Sequence, residues 1–226
     1  MAESIVMLGG GGHALVVAEA ALLAGFRVVG LYDDHLEPSA SRLLAIPRLG
    51  GFEEGLAGTG TVASILAVGD IPLRARLLAK LARSGSRLIA PPIVHPSAVV
   101  HSSATVGRGV YIGPTAVVHS FAVVGDHAII NSGAIVEHES HVGANAHVAP
   151  GAVLGGRVIV GPGTLVGLGS RVLPNVSIGA DAVVGAGTVV IREVAAGMKV
   201  AGSPARPIGL SDRAQVPQHQ PAKAGT

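Results

Sequence analysis

The hydrophobic positions of this chain follow two different patterns, which meet near residue 91. From Val94 to Val190 a Val, Ile or Leu stands at every sixth residue without exception, and a small or β-branched residue follows four positions after each of them. A helix repeats every 3.6 residues and a half-buried strand every 2, so neither explains a period of six. A short fixed repeat of this kind predicts a β-helix, a coil of short parallel strands.

The repeat comprises 17 hexads without an insertion, and three hexads make one triangular coil of 18 residues. This predicts between five and six coils and a prism about 27 Å long, given a strand spacing of about 4.8 Å. The residue before each repeat aliphatic should point outward, yet it is often apolar, which predicts that prisms pack side by side in a closed ring of three. These outward apolar residues are Val99, Val117, Val123, Ile129, Ile135, Val153, Ile159, Leu165, Val183 and Val189.

The first 90 residues do not repeat, and their apolar runs alternate between strand-like and helix-like lengths. We expect strands at 4–8, 26–32, 62–68 and 87–89, helices at 14–24 and 71–82, and a loop around Pro38 and Pro47. Strand and helix in alternation predict a small parallel, Rossmann-like α/β domain over residues 1–90. The prism is expected over 91–195 and a C-terminal segment over 196–226, disordered from Ser211 onward because it is polar and contains Pro.

Composition narrows the classes of protein that this chain can belong to. There are two Tyr, three Phe, no Trp and no Cys, so the core must be aliphatic, and neither a thiolate zinc site nor a cysteine acyl-enzyme is available. The net charge is +2 and the Arg residues are scattered, so no nucleic-acid surface is expected. No apolar run reaches the roughly 20 residues that span a bilayer, and no signal peptide is visible, which predicts a cytoplasmic protein that does not bind membranes.

Residues 136–141, Val-Glu-His-Glu-Ser-His, form the least regular hexad of the repeat. They place two carboxylates and two imidazoles where other hexads have Gly, Pro and Ala. An imidazole beside a carboxylate is the pairing that a general base requires, because the carboxylate fixes the tautomer of the ring and stabilises the imidazolium. Adjacent side chains of a strand point to opposite faces, so pairing of His138 with Glu139 requires a bend at a corner of the coil.

The hexads, the segment 135–139 (Ile-Val-Glu-His-Glu) and the segment 202–206 (Gly-Ser-Pro-Ala-Arg) resemble those of the left-handed β-helix acyltransferases. The N-terminal domain, with Gly-Gly-Gly-Gly-His at 9–13, makes the chain similar to the bacterial nucleotide-sugar N-acetyltransferases that act on 4-amino-4,6-dideoxyhexoses. These include the bacillosamine- and perosamine-pathway enzymes and relatives called sialic-acid O-acetyltransferases. The resemblance covers residues 4–208 and implies a homotrimer with active sites between adjacent prisms, acetyl-CoA in the groove between subunits, and no metal.

The resemblance also implies roles for individual residues. His138 would be the general base that deprotonates the sugar amine, and Glu139 would orient it. The amine would attack the thioester directly, which fits the absence of Cys. Asn131 would lie near the general base and would bind the sugar substrate. The residues implied for acetyl-CoA are His147 at the thioester end, Gly156 and Ala186 along the pantetheine arm (a relative has Gly at the Ala186 position), and Lys199 and Arg206 at the phosphates.

The glycine run between the first strand and the first helix is a second candidate site. Backbone N–H groups at a helix N-terminus attract anions, and Gly9, Gly11 and Ala14 fit the G-x-G-x-x-A dinucleotide pattern with Asp33 about 20 residues on. The domain is too short for the full six-stranded dinucleotide fold, and a tight turn without a ligand is the simpler alternative. The resemblance assigns Gly11, Gly12 and His13 to the nucleotide-sugar substrate, and Asp33 or Asp34 to its base or ribose.

Three alternatives remain open from the sequence. His101 and His119 should stack on neighbouring coils with Glu137 next, a ladder that could hold a metal as in γ-class carbonic anhydrases, although that class has a His pair five residues apart and no such N-terminal domain. A non-catalytic prism scaffold would not need the Glu-His-Glu segment. A sugar O-acetyltransferase of the sialic-acid type would use the same base; serine O-acetyltransferases usually carry a helical N-terminal domain. Whether the nucleotide is UDP or GDP also stays open.

Overall fold

The computed structural model describes residues 2–57, 62–84 and 89–211. The N-terminal domain is built on a four-stranded parallel sheet in the order β3-β2-β1-β4. Its strands are β1 (Ser4–Leu8), β2 (Arg27–Tyr32), β3 (Arg48–Gly50) and β4 (Ala63–Leu66), and its helices are α1 (Gly12–Leu23), α2 (Ser39–Leu44), α3 (Phe52–Ala57) and α4 (Ile71–Ser84). The predicted parallel α/β domain is therefore confirmed, with β1 and β2 at the expected positions and α1 beginning two residues earlier than expected.

The loop predicted between the second and third strands was wrong. This stretch contains α2, β3 and α3, which are too short to show a clear period in the sequence. They are held by contacts with the rest of the domain: the Leu31 N–H donates to the Pro47 carbonyl at 2.9 Å and the Asp33 N–H donates to the Gly50 carbonyl at 3.0 Å. The strand predicted at 87–89 lies outside the described residues except for Ile89, which forms an isolated parallel bridge with Ser64.

The repeat forms a left-handed parallel β-helix whose 17 two-residue strands coincide with the predicted hexads. The strands are β5 (Ile93–Val94), β6 (Val99–Val100), β7 (Thr105–Val106), β8 (Tyr111–Ile112), β9 (Val117–Val118), β10 (Val123–Val124), β11 (Ile129–Ile130), β12 (Ile135–Val136), β13 (His141–Val142), β14 (His147–Val148), β15 (Val153–Leu154), β16 (Ile159–Val160), β17 (Leu165–Val166), β18 (Arg171–Val172), β19 (Ser177–Ile178), β20 (Val183–Val184) and β21 (Val189–Val190). Two longer strands, β22 (Met198–Ala201) and β23 (Arg206–Leu210), follow as an antiparallel pair.

Three sheets form the faces of the prism, and their strands are parallel except for β23. Sheet 1 contains β5, β8, β11, β14, β17, β20, β22 and β23; sheet 2 contains β6, β9, β12, β15, β18 and β21; and sheet 3 contains β7, β10, β13, β16 and β19. Among the 17 hexad strands, each pairs with the strand one coil further on, as Val117 pairs with Ile135, an offset of 18 residues. The repeat aliphatics fill the interior, and from Val110 onward they and the small residues between them are buried in one continuous core. Burial of many aliphatic side chains stabilises a fold that has few aromatic residues.

Tight turns join the sheets at the three edges of the prism. We call the turns from sheet 1 to sheet 2 the 1–2 corner and those from sheet 2 to sheet 3 the 2–3 corner. Many corners contain a residue with positive φ, a conformation that non-Gly residues adopt infrequently. Along the 2–3 corner this position is held by four residues spaced one coil apart: Phe121 (φ 58°), Glu139 (59°), Arg157 (57°) and Asn175 (64°).

The N-terminal domain packs on the outer face of sheet 1. Ile93, Tyr111 and Ile129 point outward from this sheet and are buried in the same apolar cluster as the core of the N-terminal domain. Ile129 was expected on an exposed face that other prisms would cover, and this was wrong because the chain's own N-terminal domain covers it. The guanidinium of Arg74, on α4, is also buried at the junction (1% exposed) and its Nε donates to Asn145 Oδ1 at 2.7 Å.

None of the helices in the described ranges combines the length and apolar composition needed to cross a bilayer.

Candidate active site

The imidazole of His138 and the carboxylate of Glu139 form a hydrogen-bonded pair at the 2–3 corner. His138 Nδ1 and Glu139 Oε2 are 3.0 Å apart. Glu139 has a φ of 59°, so the chain turns between the two residues and their side chains reach the same side. This is the bend that the pairing requires. Both side chains are about half exposed, at 47% and 52%, so the pair is accessible from the surface of the prism.

The next coil supplies the surroundings of this pair. A Cβ on Gly156 would lie 2.5 Å from His138 Nε2, so the imidazole occupies the space that the missing side chain leaves. Arg157 follows, with its guanidinium 3.5 Å from Glu139 Oε2 and its Nε donating to Asn175 Oδ1 at 2.8 Å. The hydrogen bond with His138, and then the positive charge of Arg157, lower the pKa of Glu139. Glu139 is therefore ionised at neutral pH, as the partner of an imidazole base must be.

A second polar group lies at the other edge of sheet 2. Asn131, in the 1–2 corner, is 3.1 Å from His147 Nε2 through its amide nitrogen, and His147 points outward from sheet 1. Strand β12 runs between Asn131 and His138, so the two groups belong to opposite edges of one face. Among the other predicted residues, Ala186 is exposed in the 1–2 corner and Gly156 lies in the 2–3 corner, so the predicted acetyl-CoA residues are divided between the two edges.

His13 connects the glycine turn with the His147 group. Its ring lies edge-on to that of Tyr111, with centroids 5.3 Å apart, and 6.5 Å from the ring of His147. Burial, together with the positive charge of Arg74, lowers the pKa of His13 to about 4, so its imidazole is neutral at physiological pH. A cavity of about 340 Å³ opens beside it and is lined in part by Gly69, His147 and Leu168. This cavity lies at the junction of the two domains, where a substrate held by both would be placed.

The four glycines of the turn have different environments. Gly9 has a φ of 114° and a Cβ there would meet the Ala67 carbonyl oxygen at 2.8 Å, while a Cβ on Gly10 would meet Pro38 at 2.6 Å. These two glycines are required by the packing of the domain. A Cβ on Gly11 or Gly12 would meet nothing within 4 Å, and Gly11 precedes α1 without a side-chain cap. The helix N-terminus is therefore open, and an anion can approach its N–H groups.

The two aspartates after β2 hold loops of their own domain. Asp33 accepts hydrogen bonds from the Gly10 N–H through Oδ2 at 2.7 Å and from the His35 N–H through Oδ1 at 2.8 Å. Asp34 accepts from the Phe52 N–H at 2.9 Å. Asp33 therefore connects the end of β2 to the glycine turn. The sequence pattern did not indicate this structural role of Asp33.

The last two predicted residues lie at the C-terminal end of the prism. Lys199, on β22, continues the outward row of sheet 1 that contains His147, Leu165 and Val183. Arg206 is exposed at the start of β23, beside a cavity of about 520 Å³ that Arg192 and Glu193 also line. Both cations therefore lie several coils from His138, on the side of it toward which Gly156 lies.

The two histidines considered above as metal ligands, His101 and His119, stack their rings on each other. The imidazoles of His101 and His119 lie face to face with centroids 4.3 Å apart, and His101 Nδ1 is 3.0 Å from Ser120 Oγ. A metal is bound by the edge nitrogens of imidazoles, which a face-to-face stack does not direct at one point. Within the described residues no group of three or more His, Cys, Asp or Glu side chains is placed to hold a metal ion.

Two residues of this region were not predicted from the sequence. Tyr111 is the outward residue of β8, where an aromatic side chain is an exception in the repeat. Arg157 follows Glu139 by 18 residues, so the period itself could have identified it as the neighbour of the carboxylate.

A left-handed β-helix with an imidazole–carboxylate pair at an open corner, joined to an α/β domain with a glycine turn, defines a two-domain β-helix acyltransferase. Residues 4–81 match the family described as the PglD N-terminal domain. Perosamine N-acetyltransferase from Caulobacter crescentus, solved with CoA and GDP-perosamine, is 36% identical, with 91% of this chain and 97% of that chain covered and a TM-score of 0.83.

The acetyltransferase domain of PglB from Neisseria gonorrhoeae, in complex with acetyl coenzyme A, is 30% identical, with 92% of this chain and 100% of that chain covered and a TM-score of 0.83. WeeI from Acinetobacter baumannii is 20% identical with a TM-score of 0.57 and shares the fold. Among curated protein sequences none matches. The chain belongs to the family of hexapeptide-repeat bacterial sugar N-acetyltransferases, and the resemblance seen in the sequence is confirmed.

Proposed function

We propose that this protein transfers the acetyl group of acetyl-CoA to the 4-amino group of a nucleotide-linked 4-amino-4,6-dideoxy sugar, with His138 as the general base. The observation that carries the proposal is the His138–Glu139 pair, in which a carboxylate holds the ring nitrogen Nδ1 of a half-exposed imidazole that lies against Gly156 of the next coil. The similar Caulobacter crescentus enzyme was solved with CoA and GDP-perosamine, and the Neisseria gonorrhoeae domain with acetyl coenzyme A.

The chemistry assigned to these residues balances without an acyl-enzyme. His138 Nε2 accepts a proton from the neutral sugar amine as the amine nitrogen forms its bond to the thioester carbonyl carbon. The carbon–sulfur bond then breaks, the sulfur leaves as thiolate, and the proton held on His138 neutralises it. The products are the N-acetylated sugar nucleotide and CoA. Glu139 keeps the ring in the tautomer that presents an unprotonated Nε2 and stabilises the imidazolium formed during the reaction.

The two substrates are expected to approach His138 from opposite ends of the prism. Gly156 and the C-terminal cations Lys199 and Arg206 lie on one side, which suits a long cofactor that ends in phosphates. The N-terminal domain lies on the other side, and its open helix N-terminus at Gly11 and Gly12 suits the diphosphate of a nucleotide sugar. Neutral His13 lies beside this turn and suits the sugar, whereas the prism residues that line the cavity at the domain junction, from His147 to Leu168, lie beyond His138 toward the C-terminal end.

The division of the site between two edges supports a homotrimer. His138 lies at the 2–3 corner and the Asn131–His147 group at the 1–2 corner, with the outer face of sheet 2 between them. Around a three-fold axis parallel to the prisms, the 2–3 corner of one subunit would meet the 1–2 corner of its neighbour. The face between the two corners is mostly aliphatic and lies outside the region that the N-terminal domain covers. Its outward residues are Val99, Val117, Ile135, Val153, Arg171 and Val189.

The proposal is tested by measuring thiol release from acetyl-CoA with UDP- and GDP-linked 4-amino-4,6-dideoxy sugars. The chain has no Cys, so a thiol reagent reports CoA alone. We expect turnover with the sugar of only one of the two nucleotides, which also identifies the nucleobase that the protein prefers. Acetyl-CoA binding without turnover of any amino sugar would contradict N-acetylation and indicate a hydroxyl acceptor. A protein that does not bind acetyl-CoA at all would contradict the acyltransferase itself.

A further inference from the structure

The ring of Phe121 is exposed beside the active corner and has no function in the proposed reaction. It is one of only three Phe residues in the chain and is 68% exposed. It also holds a φ of 58°, in the left-handed region that favours Gly. A bulky residue in this conformation costs about 1 kcal/mol of backbone strain, and exposure of its ring to water is unfavourable as well. A partner that covers the ring would offset both costs.

The regular repeat fixes the height of Phe121 on the prism. Phe121 lies one coil before Glu139 on the 2–3 corner, and the Glu139 N–H donates to the carbonyl of Ser120 at 3.0 Å. On the 1–2 corner, Pro114 lies one coil before Ser132, and the Gly133 N–H donates to the Pro114 carbonyl at 2.9 Å. A three-fold axis parallel to the prism preserves height. If Glu139 and its partner His138 face a neighbour's 131–132 turn, Phe121 therefore faces that neighbour's Pro114.

The surface at Pro114 is an apolar groove that can receive such a ring. The groove, which we call the α1 groove, has a volume of about 440 Å³ and lies between α1 and the first coils of the prism. Leu22 and Leu23, on its α1 side, are 52% and 62% exposed, although large apolar side chains are usually buried. On the prism side it is lined by His95, Tyr111 and Pro114. Its walls are therefore mostly apolar, and two of its prism-side residues, His95 and Pro114, belong to the 1–2 corner.

We infer that Phe121 of each subunit inserts into the α1 groove of the next subunit, in the trimer on which the proposed function rests. The contact is continuous with the aliphatic outer face of sheet 2, because Phe121 and Pro114 flank the two ends of β9, which contains Val117 of that face. An aromatic side chain at the core of an interface typically contributes more than its neighbours do. The contact also ties the 2–3 corner, which carries the base, to the neighbour's α1, which begins at the glycine turn.

The placement is tested by site-directed crosslinking, which the absence of native Cys makes specific. The double variant Phe121→Cys, Pro114→Cys is treated with a short bis-maleimide linker and run on a denaturing gel. We expect covalent dimers and closed trimers from the double variant and monomers from either single variant. The pair His138→Cys, Asn131→Cys is treated in the same way. Crosslinking of this second pair without the first overturns the Phe121 contact and leaves the proposed trimer intact, whereas failure of both pairs overturns the trimer as well.

The energetic role of the contact is tested by Phe121→Ala, with Leu23→Glu as the change on the groove side. We expect each variant to raise the concentration at which the trimer dissociates by about tenfold or more, measured by analytical ultracentrifugation. The control is Leu36→Ala, which removes another exposed apolar side chain at a loop of the N-terminal domain. Unchanged association combined with a higher KM for the sugar nucleotide would overturn the inference and assign the ring to the substrate.

Discussion

The imidazole of His138 lies directly over Gly156, one coil further along the prism. A Cβ at Gly156 would come within 2.5 Å of Nε2 and 2.6 Å of Cε1 of that ring. We expect Gly156→Ala to displace the imidazole and lower kcat strongly, while stability changes little because the ring can rotate away. Thermal unfolding and kcat of the variant check this. In the background of His138→Asn the same change should have no further effect on kcat, since the two changes act through one group.

The base assignment itself predicts that His138→Asn lowers kcat by about 10²–10⁴-fold, the usual contribution of general base catalysis. The side chain is half exposed and makes its hydrogen bond at the surface, so the melting temperature should stay close to that of the wild type. The matched control is His141→Asn, because His141 is an exposed histidine of the same hexad that points outward from sheet 3. Equal losses of kcat in the two variants would argue against His138 as the base.

Arg157 is expected to act through Glu139. Replacement by Gln removes the charge 3.5 Å from the carboxylate and should lower kcat several-fold, and Lys should restore part of the loss because it returns the charge. The KM for acetyl-CoA distinguishes this from a direct contact with the cofactor, since a positioning residue should leave that KM unchanged. Arg42→Gln, on the exposed side of α2, is the control for loss of a positive charge.

Asp33→Ala should destabilise the N-terminal domain by about 2 kcal/mol, because the Gly10 and His35 N–H groups lose a charged acceptor. The glycine turn would then be less ordered, so the KM for the sugar nucleotide should rise while that for acetyl-CoA stays the same. Urea unfolding and the two KM values give the test. Glu37→Ala, at an exposed position of the following loop, should change neither.

Buried His13 predicts a dependence of stability on acid pH. Its pKa is about 4 in the folded chain and 6.5 in the unfolded chain, so between these values the unfolded chain binds more protons. The free energy of unfolding should therefore fall as the pH decreases from 6.5 towards 4, by at most about 3 kcal/mol from this group, and should not change through this group above pH 6.5. Urea unfolding of the wild type and of His13→Gln, compared at pH 7 and pH 5, measures the part of the change in the free energy of unfolding that is due to His13. Identical pH dependence in the two proteins would show that His13 is accessible to protons.

The prism could be predicted strand by strand because each of its turns repeats the same local chemistry. A Val, Ile or Leu at each sixth position fixes which side chain enters the core, and the absence of insertions keeps the register from Val94 to Val190. The short elements of the N-terminal domain could not be predicted in this way. The strand β3 has three residues, and its pairing with Leu31 and Tyr32 depends on contacts that local sequence does not encode.

In the candidate site, too, the features set by the repeat could be predicted from the sequence, and those set by distant contacts could not. The pairing of His138 with Glu139 could be expected because both residues belong to one corner, whose geometry the period determines. The structural task of Asp33 could not, since its carboxylate meets Gly10 across 23 residues. The burial of Arg74 at the domain junction could not be predicted from the sequence either, because a guanidinium is ordinarily a surface group and its partner Asn145 lies 71 residues away.

The identical height of every coil has a consequence for how such a protein can change in length. An insertion of six residues before His138 would keep the hydrophobic pattern intact, yet it would rotate everything after it by one third of a turn and move His138 to a different edge of the prism. An insertion of 18 residues would return His138 to its own edge but raise it by one coil, about 4.8 Å, relative to the N-terminal domain. Between the N-terminal domain and His138, therefore, length can change only in whole coils if His138 is to keep its edge, and even one coil alters the distance from His138 to the glycine turn.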